Sequence, residues 1–281
     1  MRRLGWSVAL VGLVLSPVLA QQNFDNVEIK VAHVAGAVHM FEGAGGNIGV
    51  SAGSDGLLMI DDQFAPLAPK IEAALSQLNP GALQFVINTH FHGDHTGGNE
   101  VFGKTAPIIA HINTRKRLLE QPRAAWPVIT FDDDASVHFN DEEIRIVHYP
   151  NAHTDGDSVI FFTSSNVVHM GDHFFVDRFP FADVDNGGNA VGLMRNVGRI
   201  LQEVSADVRI ILGHGPLADV DDLRRYHMML EETLGLVRQK KSGGQTLEQI
   251  QEAGVPSKYE SWGGGFIDTD RWLEIVFRSL G

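Results

Sequence analysis

The sequence has no cysteine among its 281 residues. That absence excludes disulfides, thiolate metal ligands and a cysteine nucleophile together. Positive charge is also scarce, with 22 Lys and Arg against 35 Asp and Glu and a formal net charge of −13. A surface of that sign repels phosphate backbones, so a small-molecule substrate is expected and nucleic acid is not. Long apolar runs are missing as well. The run at residues 6–15 is shorter than the roughly 20 residues a spanning helix needs. No low-complexity tract, short repeat or domain linker interrupts the chain. Hydrophobic residues still make up 43%, enough for a sizeable core.

The N-terminus has the pattern of a secretory signal over residues 1–20. Arg2 and Arg3 precede the apolar run, and Ser16, Pro17 and Val18-Leu19-Ala20 form a small-residue cleavage region. The alternative, an anchor helix, lacks a stop-transfer pattern, and no lipid-accepting cysteine follows. One domain over residues 21–281 is expected, periplasmic or secreted, with no stable membrane anchor after cleavage. Without Arg2 and Arg3 it would carry 20 basic and 35 acidic residues, a net charge of −15. The sequence leaves the oligomeric state open.

Residues 27–42 alternate apolar and polar side chains in two stretches broken at Gly36, a hairpin pattern. Strands at 47–51 and 56–61 flank the turn Gly53-Ser54-Asp55-Gly56. Residues 67–78 repeat apolar positions at helical spacing and stop at Asn79-Pro80-Gly81, and 84–88 reads as a buried strand. A similar order recurs, with strands at 136–139, 144–148, 158–163 and 167–170, a helix at 189–204 and a strand at 208–212. Helices at 219–240, 246–253 and 268–280 finish the chain. Strands, a helix and a strand, twice over, predict an α/β fold of two stacked sheets with helices outside.

The strongest chemical signal is Thr89-His90-Phe91-His92-Gly93-Asp94-His95-Thr96-Gly97-Gly98-Asn99. Histidines at i and i+2 on an extended segment face one side. Gly93 lets the chain turn so that Asp94 and His95 can face the same point. Three imidazoles and a carboxylate this close suit zinc, with iron or manganese as alternatives. His153, Asp172 and His214 each stand at a predicted strand end beside or near glycine, where backbone can approach a site closely.

On the motif His-x-His-x-Asp-His at 90–95, followed in order by His153, Asp172 and His214, the sequence resembles the metallo-β-lactamase superfamily over nearly the whole mature chain. The resemblance implies a four-layer αββα sandwich with two metals at one edge of the sheets. It implies that His90, His92 and His153 hold the first metal and Asp94, His95 and His214 the second, with Asp172 bridging. Asp61 matches a position where relatives often carry a supporting aspartate, and it reads equally as a plain strand-end turn. Two such ions share a water, lower its pKa and let the hydroxide attack a carbonyl carbon. Asp94 is the expected catalytic residue, orienting the nucleophile and relaying a proton.

Substrate clues conflict. An aspartate at 172 looks like glyoxalase II, where lactamases carry cysteine or serine. That enzyme is normally intracellular and binds glutathione through a basic C-terminal region, whereas residues 242–281 show no basic cluster beyond the preceding Lys240 and Lys241. The expectation is an exported zinc hydrolase of an ester, lactone, thioester or amide, with β-lactamase activity in range. The alternatives are a true metallo-β-lactamase and a mono-iron oxidoreductase similar to persulfide dioxygenases, which use fewer ligands. Phe174, Phe175, Arg178 and Trp262 are the candidate substrate contacts, within aromatic segments that also contain Phe179, Pro180, Phe181 and Phe266. Those aromatics read equally as anchors for the C-terminal helices. Asp157 is expected to matter far less than Asp172.

Overall fold

Apolar alternation and tight turns lay down the first sheet of the protein, whose computed structural model describes residues 24–281. The expected signal segment, residues 1–20, lies outside the described residues. Seven strands run in chain order: β1 (Lys30–Ala35), β2 (Val38–Glu42), β3 (Ile48–Gly53), β4 (Gly56–Ile60), β5 (Leu83–Ile87), β6 (Ile108–His111) and β7 (Ile129–Phe131). The first four form an antiparallel meander. Gly36 turns β1 into β2 at φ 54°, and a Cβ there would lie 2.4 Å from Ser165 Oγ. Helix α1 (Ala68–Leu78) then carries the chain back, so β5 pairs parallel to β4. A parallel pair requires such a crossover.

Short helices α2 (Gly93–Thr96), α3 (Asn99–Phe102) and α4 (Ile112–Arg117) follow β5 and β6. The second sheet contains β8 (Asp134–Phe139), β9 (Glu142–His148), β10 (Ser158–Phe162), β11 (Val167–His169) and β12 (Arg209–Ile211), in the spatial order β12-β11-β10-β9-β8. Helix α5 (Ala190–Glu203) makes the parallel crossover from β11 to β12 in this sheet. Its start is fixed by Asn189, whose side chain accepts from the amides of Val191 and Gly192. Helix α6 (Val220–Ser242) opens on an Asp219–Asp222 capping box, and α7 (Leu247–Ala253) and α8 (Thr269–Ser279) end the chain.

The two sheets bury their facing sides against each other, with Leu58, Ile60 and Ile87 meeting Ile144, Ile146, Ile160 and Ile211. Each of these side chains is fully buried, worth about 1.5–3 kcal/mol apiece relative to exposure. Ile71 and Leu75 of α1 cover the outer face of the first sheet. Leu193, Leu230 and Trp272 of α5, α6 and α8 cover the second. The result is the expected αββα sandwich.

Residues 99–135, for which the sequence predicts no elements, hold α3, β6, α4 and β7. All four residues of β6 are buried, and a run that short, buried on both faces, has no period to read. Among the described residues no helix is long and apolar enough to cross a membrane.

Candidate metal centre

Strands β4, β5, β11 and β12, all members of parallel pairs, deliver their C-terminal ends to one edge of the sandwich. Ends of parallel strands are where such sheets leave room for ligands. Just after β5 the backbone runs through Thr89 to His90. His92 stands at the N-cap of α2, and Asp94 and His95 lie within that helix. The loop between β9 and β10 brings His153, the turn after β11 brings Asp172, and the end of β12 brings His214. Gly213 is required there, because a Cβ would lie 1.9 Å from Asp172 Oδ1.

All seven predicted donors come together in three overlapping groups, His90–His92–His153, His90–His95–Asp172 and Asp94–His95–His214, with ligand atoms within 4.8 Å inside each group. His92 Nδ1 lies 2.8 Å from His153 Nε2 and 3.1 Å from His90 Nε2. On the other side His95 Nε2 lies 3.3 Å from His214 Nε2, and Asp94 Oδ2 is 3.1 Å from His214 Nε2. Asp172 stands between, with Oδ2 at 3.4 Å from His153 Nε2 and Oδ1 at 3.2 Å from His95 Nε2.

Outward hydrogen bonds fix which nitrogens face inward. His95 Nδ1 donates to Asp61 Oδ2 (2.8 Å), and His92 Nε2 donates to Asp183 Oδ2 (3.0 Å). His153 Nδ1 donates to the Phe181 carbonyl (2.6 Å). The Thr89 hydroxyl donates to Asp61 Oδ2 (2.7 Å), so it accepts from His90 Nδ1 (3.0 Å). Each neutral imidazole has one donor and one acceptor nitrogen. The inward nitrogens of His90, His92 and His153 therefore converge as lone pairs, and His95 Nε2 joins them once its second proton is displaced, a cradle that a cation satisfies. Asp172 Oδ1 is buried without a hydrogen bond of good geometry, as a carboxylate oxygen kept for a cation would be. Zinc–nitrogen bonds of about 2.0–2.1 Å in a tetrahedron place ligand nitrogens roughly 3.3 Å apart, close to the spacings here.

Electrostatics agree. Burial pushes His90 well below the ordinary histidine range and His153 down to about 4. His95 moves the other way: burial disfavours its charge, but the Asp172 and Asp61 carboxylates outweigh it. Asp172 is held well below the carboxylate range, because His95, His153 and His214 outweigh its burial. A metal entering the site must therefore displace the proton His95 would otherwise keep. Apparent metal affinity should fall as pH falls, by about tenfold per pH unit for each displaced proton. Competition with a chelator between pH 5.5 and 7.5 measures this, and a pH-independent affinity would contradict it.

A second set of residues, which the sequence does not single out, holds the site from behind. Asn186 Nδ2 donates to Asp183 Oδ2 (2.7 Å), the same oxygen that receives His92. Arg117 forks onto Asp155 at 2.7 and 2.8 Å and also reaches the Asn186 side chain and carbonyl at 2.7 and 2.9 Å. The guanidinium thus ties the His153 loop to the Asp183–Asn186 turn. Arg117 sits on α4, one of the elements the sequence does not reveal, and Asp183 has no telling spacing to any histidine. Arg117→Ala is expected to weaken metal retention about tenfold at the His90–His92–His153 end, read by chelator competition. Unaltered retention would show that the clamp is not needed.

Asp61 proves to be a hydrogen-bonding support and not a plain turn, and its left-handed backbone (φ 61°) aims the carboxylate at Thr89 and His95. Asp157, expected to be minor, is buried and accepts from both the amide (2.8 Å) and hydroxyl of Thr154, beside His153. His173 is buried against Tyr149 and has no hydrogen bond to any predicted donor.

The donors open on a cleft of about 560 Å³ lined by Phe175, Arg178, Phe179, Phe181, Phe266 and Ile267 together with His92, Asp94, His153, Asp172 and His214. Two expected substrate contacts do not line it. Phe174 is fully buried on Tyr226 (5.1 Å between rings), and Trp262 is buried behind Phe179. Both have become anchors because the sheet-covering helices leave an apolar recess there.

The family model of the metallo-β-lactamase superfamily matches residues 43–214. A hydroxyacylglutathione hydrolase of Gloeobacter violaceus is 30% identical over 90 residues, 32% of this chain and 34% of that protein. One from Prochlorococcus marinus is 26% identical over 98 residues, 34% of this chain and 38% of that protein. The chain thus spans little more than a third of the length of these two relatives. In structure it is similar to a metallo-β-lactamase from Pontibacter korlensis, with TM-score 0.65, 15% identity, and 73% of this chain and 99% of that one covered. It is also similar to the metallo-β-lactamase DIM-1, with TM-score 0.64, 17% identity, and coverages of 73% and 98%.

Proposed function

Because the chain belongs to the metallo-β-lactamase superfamily, we propose that it is a metal-dependent hydrolase with two divalent ions, zinc by the chemistry of its donors, that cleaves a carbonyl substrate. The observation that carries this reading is Asp172, whose two oxygens stand one in each triad of donors. A seven-donor set with a shared carboxylate favours two ions over the single iron of an oxygenase. Divalent ions bound there supply Lewis-acid polarisation and an acidified water as nucleophile.

The chain's own residues then orient and move protons. His90, His92 and His153 would hold one ion, and Asp94, His95 and His214 the other, with His90, His92, His95 and His153 kept in the right tautomer by their outward partners. Asp94 stays ionised near neutrality, because the His214 hydrogen bond and nearby His95 outweigh its burial. It can take a proton from the water and return it to the leaving group. The aromatic walls exclude bulk water from one side of the cleft.

Esters, lactones, thioesters and amides all present the required carbonyl. The hydroxyacylglutathione hydrolases among its relatives favour testing thioesters first, and the lactamase neighbours add β-lactams. Screening all these classes with zinc-loaded protein should find at least one turned over and silenced by chelator. Complete inactivity of fully loaded protein on all of them would overturn the hydrolase reading.

A further inference from the structure

The segment after Asp172 divides its side chains between core and cleft. Phe179 is buried, stacked on Trp272 with centroids 5.8 Å apart and planes at 10°, and its amide donates to the Trp262 carbonyl (3.3 Å). With Phe174 buried in the core and Phe179 reaching the cleft only as a largely buried wall, Phe175, Arg178 and Phe181 are the residues of this segment that open onto it. Phe175 lies parallel to His214 at 6.2 Å, and Phe181 stands 6.1 Å from His92 and 5.8 Å from His153. Gly263-Gly264-Gly265, from the C-terminal part of the chain, delivers Phe266, edge-on to Phe181 at 6.3 Å and 91% exposed. Large rings are seldom left in water at the mouth of a cleft without a ligand to cover them.

Arg178 is the one lysine or arginine among the described residues lining this cleft. Its acidic neighbour Asp177 turns away to Arg225 (3.3 Å). Arg178 itself has no hydrogen-bond or ion-pair partner among the described residues, and its stem lies so close to Gly265 that a Cβ there would be 3.1 Å from Cδ. The arginine is thus held beside the aromatic mouth with its guanidinium uncommitted.

We propose that the cleft recognises amphiphilic anions, with an apolar body between Phe175, Phe181 and Phe266 and a carboxylate or comparable anionic group on Arg178. A planar guanidinium recognises such groups through paired, charge-assisted hydrogen bonds, and the aromatic faces supply apolar area. The proposal names the substrate class of the hydrolase reading above, yet binding can be tested apart from turnover.

Two probes separate the two. The first is a matched pair of esters, mono-4-nitrophenyl adipate and 4-nitrophenyl hexanoate, assayed with zinc-loaded protein. Arg178→Ala should lower the adipate-over-hexanoate ratio of kcat/KM about tenfold through KM, with Arg178→Lys recovering part of it. The second is 8-anilinonaphthalene-1-sulfonate, an aromatic anion that is not hydrolysed, titrated by fluorescence into protein whose circular dichroism is native. Arg178→Ala and Phe266→Ala should each weaken its binding about tenfold. If neither ester is turned over but dye binding depends on both residues, the anion pocket stands on its own, and the wider substrate screen decides the hydrolase reading. If the ester ratio and dye affinity are the same in wild type and Arg178→Ala, the anion pocket is wrong whatever the turnover.

Discussion

Asp172→Ala should cut turnover by at least about a hundredfold and leave one of two metals weakly held, since losing even a supporting group around a metal costs about 10–100-fold. The expectation follows from position. Among the donors, Asp172 alone places one oxygen beside His153 and the other beside His95, at 3.4 and 3.2 Å. With two cations bound as proposed, it would offset their mutual repulsion and set their separation. Without it the His90–His92–His153 triad retains three imidazoles, while the other keeps Asp94, His95 and His214. The exposed Glu252, far from any donor in sequence, serves as the control, and Glu252→Ala should change neither quantity. Equal kcat/KM for wild type and Asp172→Ala at limiting metal would reduce Asp172 to a turn residue.

Asp61→Asn should be nearly as damaging, although Asp61 is not a donor to the metals. Its Oδ1 accepts the Thr89 amide at 2.8 Å, and its Oδ2 accepts both the Thr89 hydroxyl and His95 Nδ1 at 2.7 and 2.8 Å. An asparagine can keep the first bond only by turning its NH₂ toward two donors. His95 would then have to give up its Nδ1 proton and carry it on Nε2, pointing at the metal. The Thr89 hydroxyl would lose its acceptor, and the tautomer of His90 would no longer be fixed. Metal affinity should fall by roughly 10–100-fold, more than for Thr89→Val, which among the donors touches His90 alone. Imidazole nitrogen shifts in the metal-free protein would report the tautomer directly. Wild-type affinity together with an unchanged His95 tautomer would refute the argument.

Much of the fold and most of the metal site are legible in the amino-acid sequence alone. The meander, the α1 and α5 crossovers and the C-terminal helices are readable because each has either a clear period or a turn at its end. Helix α5, for instance, starts at Asn189 just where an N-cap residue precedes an apolar repeat. The donors are legible because metal chemistry demands histidine and carboxylate, and those residues stand where strands end. What stays hidden depends on contacts distant in sequence. The Arg117–Asn186–Asp183–His92 relay spans three loops, and no local pattern links its members. The aromatic segment fails in an instructive way. Phe174 and Phe175 are neighbours of the same type, yet one is sealed on Tyr226 and the other faces His214. Composition predicts that such a segment is divided, but only the packing of α6 and α8 decides which ring goes where. The burial of Asp157 and its grip on Thr154 are likewise properties of the folded loop that no local pattern shows.

The central claim is a two-metal hydrolytic centre, and one titration tests it most directly. Metal-free protein would be reloaded stepwise with zinc while bound metal is counted by elemental analysis and turnover is followed on the best substrate of the screen. The account predicts saturation at two ions per chain, with full activity reached only as the second site fills. Saturation at one ion per chain, with activity complete at that point or obtained only with iron, would contradict it.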